Sequence, residues 1–289
     1  MVFFIVSPAS ADMFSLVSNS SGATAAQGLT SNGIAYSYFT VNDQQVGALS
    51  WRPNFRCNAI GLGLDFNLLM GNDRPADFQE MVLRYVEYDD GLRALRYGVL
   101  NNVTYGWGLV MENYSTVGVG PSQLNNKQTG VKGSYSYDGG SVQAMGTWSH
   151  VYAIRLTQNP QPWLKIGETV AGDQGMTVRD SGGIDRKHSA VSSYGVDVSS
   201  PMQFGGDLFA ELAGLSNGSM GFQTGYKWGL DLFVANFSVL AAYRNLGDRY
   251  IPNYFGPEYE SNPIDIASAE AFKGKSGYLG QMKLGIMQY

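Results

Sequence analysis

From Val103 to Glu112 the chain reads Val-Thr-Tyr-Gly-Trp-Gly-Leu-Val-Met-Glu. Odd positions carry Val103, Tyr105, Trp107, Leu109 and Met111, and even positions carry Thr104, Gly106, Gly108, Val110 and Glu112. Successive side chains of a strand face opposite sides, so this segment predicts a strand with one large apolar face and one small or polar face. The pattern recurs. Ile60, Leu62, Leu64, Phe66 and Leu68 oppose Gly61, Gly63, Asp65 and Asn67. Further alternating segments are 202–212, 220–228, 233–244 and 278–286. Weaker ones lie at 34–41, 45–51, 80–88, 92–99, 130–137, 141–149, 151–157, 162–170 and 190–198. Closed bacterial barrels have even strand numbers. The roughly fifteen segments therefore predict an all-β, antiparallel transmembrane β-barrel of about 14 strands, with 12 and 16 as the neighbouring even numbers. The surplus segment is expected near the N-terminus.

A soluble sandwich also alternates, and it stays open as an alternative. Two features favour the barrel. Aromatics sit near strand ends on the apolar face, as in Tyr105/Trp107, Tyr135/Tyr137 and Tyr226/Trp228, where an aromatic girdle belongs. The opposite face is rich in Gly, Ser and single charges, which suits a confined lumen. Connection lengths point the same way. The long connections, about 114–129, 171–189 and 245–276, are separated by four candidate strands each, which puts them on one side of the sheet. Asn101-Asn102, Asp138-Gly139-Gly140, Asn159-Pro160-Gln161, Ser199-Ser200-Pro201 and Gly229-Leu230 give tight turns on the other side. Ser216-Asn217-Gly218 and Asp89-Asp90-Gly91 are short turns on the long-loop side. Asp73 to Glu80 predicts a short helix capped by Asp73, with Pro75 in its first turn, on the short-turn side.

Composition narrows the function classes. Charged residues are 15% of the 289, and the net charge is −5. Nucleic-acid binding needs clustered Lys and Arg, so no nucleic-acid partner is expected. Cys57 is the only cysteine, which excludes an internal disulfide and paired-cysteine zinc motifs. No run of 18 apolar residues predicts a membrane helix, and a barrel strand needs only about ten alternating residues. The mean hydropathy of −0.14 does not separate a barrel from a sandwich. Val2 to Val6, followed by Ala9-Ser10-Ala11, reads as the end of a signal peptide. The expected organisation is a signal-peptide remnant at 1–11, a leader at 12–30 and one barrel domain at 31–289.

The chain closes on Leu284-Gly285-Ile286-Met287-Gln288-Tyr289. A terminal aromatic after an alternating strand resembles the signal that barrel-insertion machinery reads. Arg96-Tyr97-Gly98 followed by Gly106-Trp107-Gly108 resembles paired strand motifs of porin-like proteins. Tyr289 does not share parity with Leu284 and Ile286, a departure from the usual signal. The resemblance to Gram-negative outer-membrane barrels implies an outer-membrane location and lipid around the barrel, with an open and a filled lumen as the two alternatives.

Lumen-facing charges are expected at Arg84, Arg96, Glu112, Lys132, Arg155, Asp207, Glu211, Lys227 and Arg244, with Asp65, Lys165, Asp197 and Lys283 beside them. Such charges set selectivity in pores or pair across strands to brace the wall. Arg96 and Glu112 are expected as a pair on consecutive strands. The connection at 245–276 mixes aromatics, prolines and acids. Asp248, Tyr250, Tyr254, Glu258 and Tyr259 are its candidate surface-binding residues. His150 and His188 show no metal-ligand spacing. Ser149 and His150 are adjacent and cannot act as a nucleophile–base pair within one strand. A passive channel for small hydrophilic solutes, without cofactor or catalysis, is the leading expectation. A closed surface-binding barrel and a membrane-embedded hydrolase are the alternatives. Oligomeric state is not legible.

Overall fold

A computed structural model describes residues 6–9, 15–16, 34–41, 44–71, 74–116, 129–175, 177–179, 185–187, 189–231, 235–260, 266 and 272–286. Most of the expected signal remnant and leader, residues 117–128, His188 and Tyr289 lie outside them. The architecture is all-β. Among the described residues fourteen antiparallel strands form the wall: β1 (Ile34–Val41), β2 (Gln44–Trp51, resumed at Asn54–Cys57), β3 (Ile60–Gly71), β4 (Arg74–Asp89), β5 (Arg93–Gly98), β6 (Gly130–Tyr137), β7 (Gly140–Thr147), β8 (Val151–Gln161), β9 (Leu164–Asp173), β10 (Ser192–Pro201), β11 (Asp207–Leu215), β12 (Met220–Asp231), β13 (Ala235–Leu246) and β14 (Lys275–Ile286). Each strand pairs with the next in one continuous sheet. Val6–Ala9 runs parallel to β14, and Ser15–Leu16 runs parallel to β1. These two short segments occupy the seam where the antiparallel run begins and ends.

The segment that alternates most cleanly, 103–112, is not a wall strand. β5 pairs directly with β6, Leu95 opposite Gly133. The chain between them turns inward as a small hairpin, Val103–Tyr105 with Met111–Tyr114. Gly106 and Gly108 explain the departure. Their φ values of 73° and 99° lie in the left-handed region that glycine alone enters freely. They fold ten alternating residues into two short arms. The surplus segment is therefore this one, not an N-terminal one. Asn101-Asn102 opens the inward excursion rather than turning between wall strands.

The expected helix at 73–80 is also overturned: residues 74–89 form one strand, β4, paired along its length with β3. Pairing with a neighbouring alternating strand outweighs the local cap and proline signals. Two turns shift. The turn after β8 falls at 162–163, beyond the expected Asn159-Pro160-Gln161, and β12 continues through Gly229-Leu230 to Asp231.

These changes make the sorting of connections cleaner. The connections at 58–59, 90–92, 138–139, 162–163, 202–206 and 232–234 share one side. The turn at Asp89-Asp90-Gly91 thus moves to the short-turn side. The three long connections, at 99–129, 174–191 and 247–274, share the other side.

The sheet curves round its own loops. The inner hairpin buries Val103, Tyr105, Leu109, Val110, Met111 and Tyr114, and these pack with Met145 of β7, Ala153 of β8, Ala171 of β9 and Ala213 of β11. Glu112 on the same hairpin reaches Gln281 of β14. One small hairpin touches β7 and β14 together only if the sheet wraps around it. The outward face of the wall is apolar and exposed, with Val131, Ile154, Val170, Val196, Leu208 and Leu212. Aromatics border this band at both ends. Tyr88, Tyr135, Trp163 and Phe204 lie toward the short turns, and Tyr97, Trp148, Tyr152 and Tyr194 lie toward the long loops. Gly172, opposite Tyr152, is nine residues from Trp163. At about 3.3 Å per residue and a tilt of roughly 40°, the belts stand about 23 Å apart, close to the apolar band of an outer-membrane barrel. A soluble sandwich would bury this face against a second sheet.

Candidate functional site: the lumen and its folded-in loops

Two loops enter the barrel from the long-loop side and knit together. The backbone N–H of Asn253 donates to Leu109 O (2.9 Å), and Glu112 N–H donates to Asn253 Oδ1 (2.8 Å). Tyr250 Oη donates to Leu109 O at 3.0 Å. Tyr250, Tyr254, Phe255 and Tyr259 are all buried, and the Phe255 and Tyr259 rings meet at a tilt of 52° with centroids 4.9 Å apart. This corrects the surface-binding expectation for Tyr250, Tyr254 and Tyr259. They face the interior because the loop folds over the apolar arm of the hairpin. Asp248 and Glu258 stay exposed. Asp248 Oδ1 accepts from Gly274 N–H (2.6 Å) and clasps the two ends of the loop.

The hairpin seats on β7–β12, where small residues make room for it. A Cβ on Gly195 of β10 would meet Val110 Cγ2 at 2.7 Å, and one on Gly221 of β12 would meet the Tyr250 ring at 2.5 Å. Small inner-face residues there receive a loop, not only water. Glu211 of β11 is buried, and its Oε2 accepts from Leu109 N–H (3.1 Å) and Gln223 Nε2 (2.7 Å). Gln223 also donates to Trp107 O (2.7 Å), and Arg244 Nε donates to Gln223 Oε1 (2.7 Å). Trp107 stacks on Phe209 with centroids 4.1 Å apart. Beneath them Arg155 is held by Asp197 (2.6 and 3.0 Å) and donates to Thr169 Oγ1 (2.8 Å). Arg155, Glu211 and Arg244 thus brace the seat of the hairpin.

Arg96 and Glu112 do not pair. Glu112 sits on the hairpin and accepts from Gln281 Nε2 (3.3 Å), whereas Arg96 on the wall pairs with Glu87 (3.1 Å). With Lys227, Trp107 and Gln281, Glu112 lines a cavity of about 170 Å³. Asp207 lies in register with Lys227 near the short turns. Lys165 is exposed at the start of β9, and Lys283 lies on β14.

Across the lumen β2–β6 carry a different surface. Arg52 pairs with Asp65 (3.5 Å), and Arg56 pairs with Glu87 (3.6 Å) and Asp89 (3.3 Å). Arg84 is buried and donates to Asn54 Oδ1. The Arg96 guanidinium lies 3.8 Å from the Tyr85 ring centre. Sequence reading missed Arg52, Asn54 and Glu87 here. Arg52 stands in the break of β2, where alternation lapses.

On the long-loop side Glu260 is buried. Its Oε1 accepts from Ser149 Oγ (2.5 Å) and from Tyr114 Oη, so one carboxyl joins the 247–260 loop, the hairpin and the β7–β8 turn. Burial pushes this carboxyl above the usual carboxylate range, against the opposing pull of its two hydroxyl donors. Ser149 therefore serves a loop junction. Among the described residues no group of His, Cys, Asp or Glu is arranged to hold a metal. The exposed Cys57 is a free thiol.

The fold and interior define a transmembrane β-barrel of the outer-membrane type with two loops folded into its lumen. No family model matches the chain, and no curated protein matches it. Solved structures resemble it remotely. OmpF of Salmonella typhi, in complex with daunomycin, aligns at 10% identity and a TM-score of 0.43, covering 87% of this chain and 95% of that one. An anion-selective porin from Comamonas acidovorans aligns at 11% identity and a TM-score of 0.36, covering 85% and 89%. Outer-membrane expressed OmpT of Vibrio cholerae aligns at 10% identity and a TM-score of 0.36, covering 84% and 89%. The barrel assignment stands on the sheet topology and the outward apolar band.

Proposed function

We propose that this protein is a passive channel for small hydrophilic solutes in a bacterial outer membrane. It would be delivered by a signal peptide and inserted by the barrel-insertion machinery. One observation carries the reading. The inner hairpin is seated on β7–β12, while β2–β6 present charged side chains to the space beside it, with a cavity of about 130 Å³ between Arg84, Arg96 and Asn102. A passage bordered by fixed charges conducts ions by diffusion, and this role calls for no cofactor and no catalytic step. Residues 31–289 form the single channel domain in this reading. Steady unitary conductance steps from purified, heat-modifiable protein in planar bilayers are the expected result. Silence from folded protein refutes the channel.

A specific observation favours the second reading, a closed barrel with a surface role. Tyr114, Tyr250, Tyr254, Phe255 and Tyr259 pack as one apolar cluster where the loops enter. The same bilayer measurement decides between the two.

A further inference from the structure

Among the described side chains of β2–β6 the charges do not balance. Five described cations face this side of the lumen: Arg52, Arg56, Arg84, Arg96 and Lys132. The three described carboxylates, Asp65, Glu87 and Asp89, are engaged by Arg52, Arg56 and Arg96. Among the described residues Arg84 and Lys132 form no ion pair. Arg84 is 6% exposed, and its Nε has no hydrogen-bond partner. Among the described residues its guanidinium donates to the neutral amide oxygen of Asn54. Lys132 is half-buried and lies in register with Arg96 on the neighbouring strand. A buried guanidinium without a carboxylate is costly unless something else compensates its charge and fills its donor positions.

The surroundings suit a small anion. The cavity of about 130 Å³ is lined by Arg84, Tyr85, Arg96, Val99, Asn101 and Asn102. Asn101 Oδ1 accepts from Ser115 Oγ (2.9 Å), which leaves its amide N–H₂ as the donating end. The two guanidiniums belong to different strands, β4 and β5, and the asparagines belong to the base of the inner hairpin. The Tyr85 ring centre lies 5.3 Å from Arg84 Cζ and 3.8 Å from Arg96 Cζ, so one aromatic ring flanks both guanidiniums. An oxyanion placed here receives charge-assisted hydrogen bonds from both sides, the strongest that neutral pH offers.

We propose that this cavity is a binding site for the oxyanion group of a solute, a carboxylate or a phosphate, with Arg84 as its principal ligand, Arg96 and the Asn101 amide as further donors, and Lys132 as a flanking charge. The site rests on the lumen reading but not on an open pore, because a closed barrel also binds an anion there. Titration calorimetry of the detergent-folded protein at low chloride, with inorganic phosphate in one arm and malonate in the other, separates the two chemistries. Saturable binding in either arm is expected, weakened by chloride, and at least tenfold weaker in Arg84→Gln. Lys132→Gln, a less buried site, is expected to weaken binding severalfold and covers the case in which Arg84→Gln fails the heat-modifiability check. Lys165→Gln, at the far end of β9, is the control and leaves binding unchanged. No saturable binding by the wild-type protein in either arm overturns the site, as does binding equal in both lumen variants. Bilayer recordings of the same samples keep the two readings apart. Conductance without binding refutes the site alone, and binding without conductance refutes the channel alone.

Discussion

The carboxylate of Glu211 accepts the backbone N–H of Leu109 at 3.1 Å across 102 positions of sequence. A wall strand thus holds the turn of the inner hairpin through a main-chain group that no side-chain change at Leu109 removes. In Glu211→Ala, Leu109 N–H loses its acceptor in a buried place, and Gln223 Nε2 keeps only Trp107 O. A buried donor left unmade costs about 1–3 kcal/mol. Hydrogen exchange is expected to quicken at residues 106–111 while β6–β9 keep their protection. Unchanged exchange at 106–111 would show that the apolar side chains alone seat the hairpin.

Gly195 and Val110 provide a steric test. A Cβ at Gly195 meets Val110 Cγ2 at 2.7 Å, so Gly195→Val overfills the seat, at a typical cost of about 1–3 kcal/mol. The midpoint of urea unfolding is expected to fall, although Val suits a strand better than Gly. Adding Val110→Ala should restore most of the loss, and a double-mutant cycle measures the coupling. Strict additivity would show that the two residues do not touch.

Glu260 makes the loop junction depend on pH. Its carboxyl is pushed up by burial, and the nearby Asp173 charge adds to the shift. Folding therefore favours its neutral form. The stability this contributes is complete below the ordinary carboxylate pKa and is lost as pH rises through the raised, folded-state value. Tyr114, Ser149 and Asp173 are the polar groups facing it. Limited proteolysis of the 247–260 loop should accelerate as pH climbs out of the carboxylate range. Glu260→Gln should flatten that dependence. A profile of equal slope in the variant would assign it to another group.

The outward face holds one further test. Glu168 on β9 stands in register with Leu156 and Val196 and shares the face of Val170 in the apolar band. Gly172, opposite Tyr152, is four residues away and Trp163 is five. At about 3.3 Å per residue and roughly 40° of tilt, the carboxyl lies about 10–13 Å from either belt. Charged groups at that depth are destabilising, acids less than bases. Glu168→Val is expected to stabilise the lipid-embedded protein by roughly 1–2 kcal/mol, read as a higher unfolding midpoint in bilayers. Destabilisation would mean that this face meets protein rather than lipid.

The wall was legible because period-two alternation is a local property, visible in 58–68 or 220–228 without knowledge of any partner. The common side of the long connections was legible for the same reason, since counting strands needs only their number. The hairpin misled because its arms share the period of a wall strand. Only Gly106 and Gly108, spaced to break the strand at its centre, distinguish the two, and glycine is also common in lumen-facing positions. Counting that hairpin as a wall strand displaced the Asp89-Asp90-Gly91 turn to the wrong side, and reading 73–80 as helix hid the first half of β4. The site charges were legible as inward-facing, but their partners were not. Glu87 with Arg96 and Arg155 with Asp197 depend on register, and two of the aligned strands, β8 and β10, are not adjacent in the sheet.

The anchors of the inner hairpin also impose an order of assembly. Glu211, Gln223, Asn253 and Gln281 all follow it in the chain, the last of them 169 positions after Glu112. When residues 103–114 first emerge, nothing that holds them yet exists. Contacts of such long sequence separation form late. The hairpin therefore docks only after the final strands are in place, and a protected hairpin marks a chain whose insertion has run to completion.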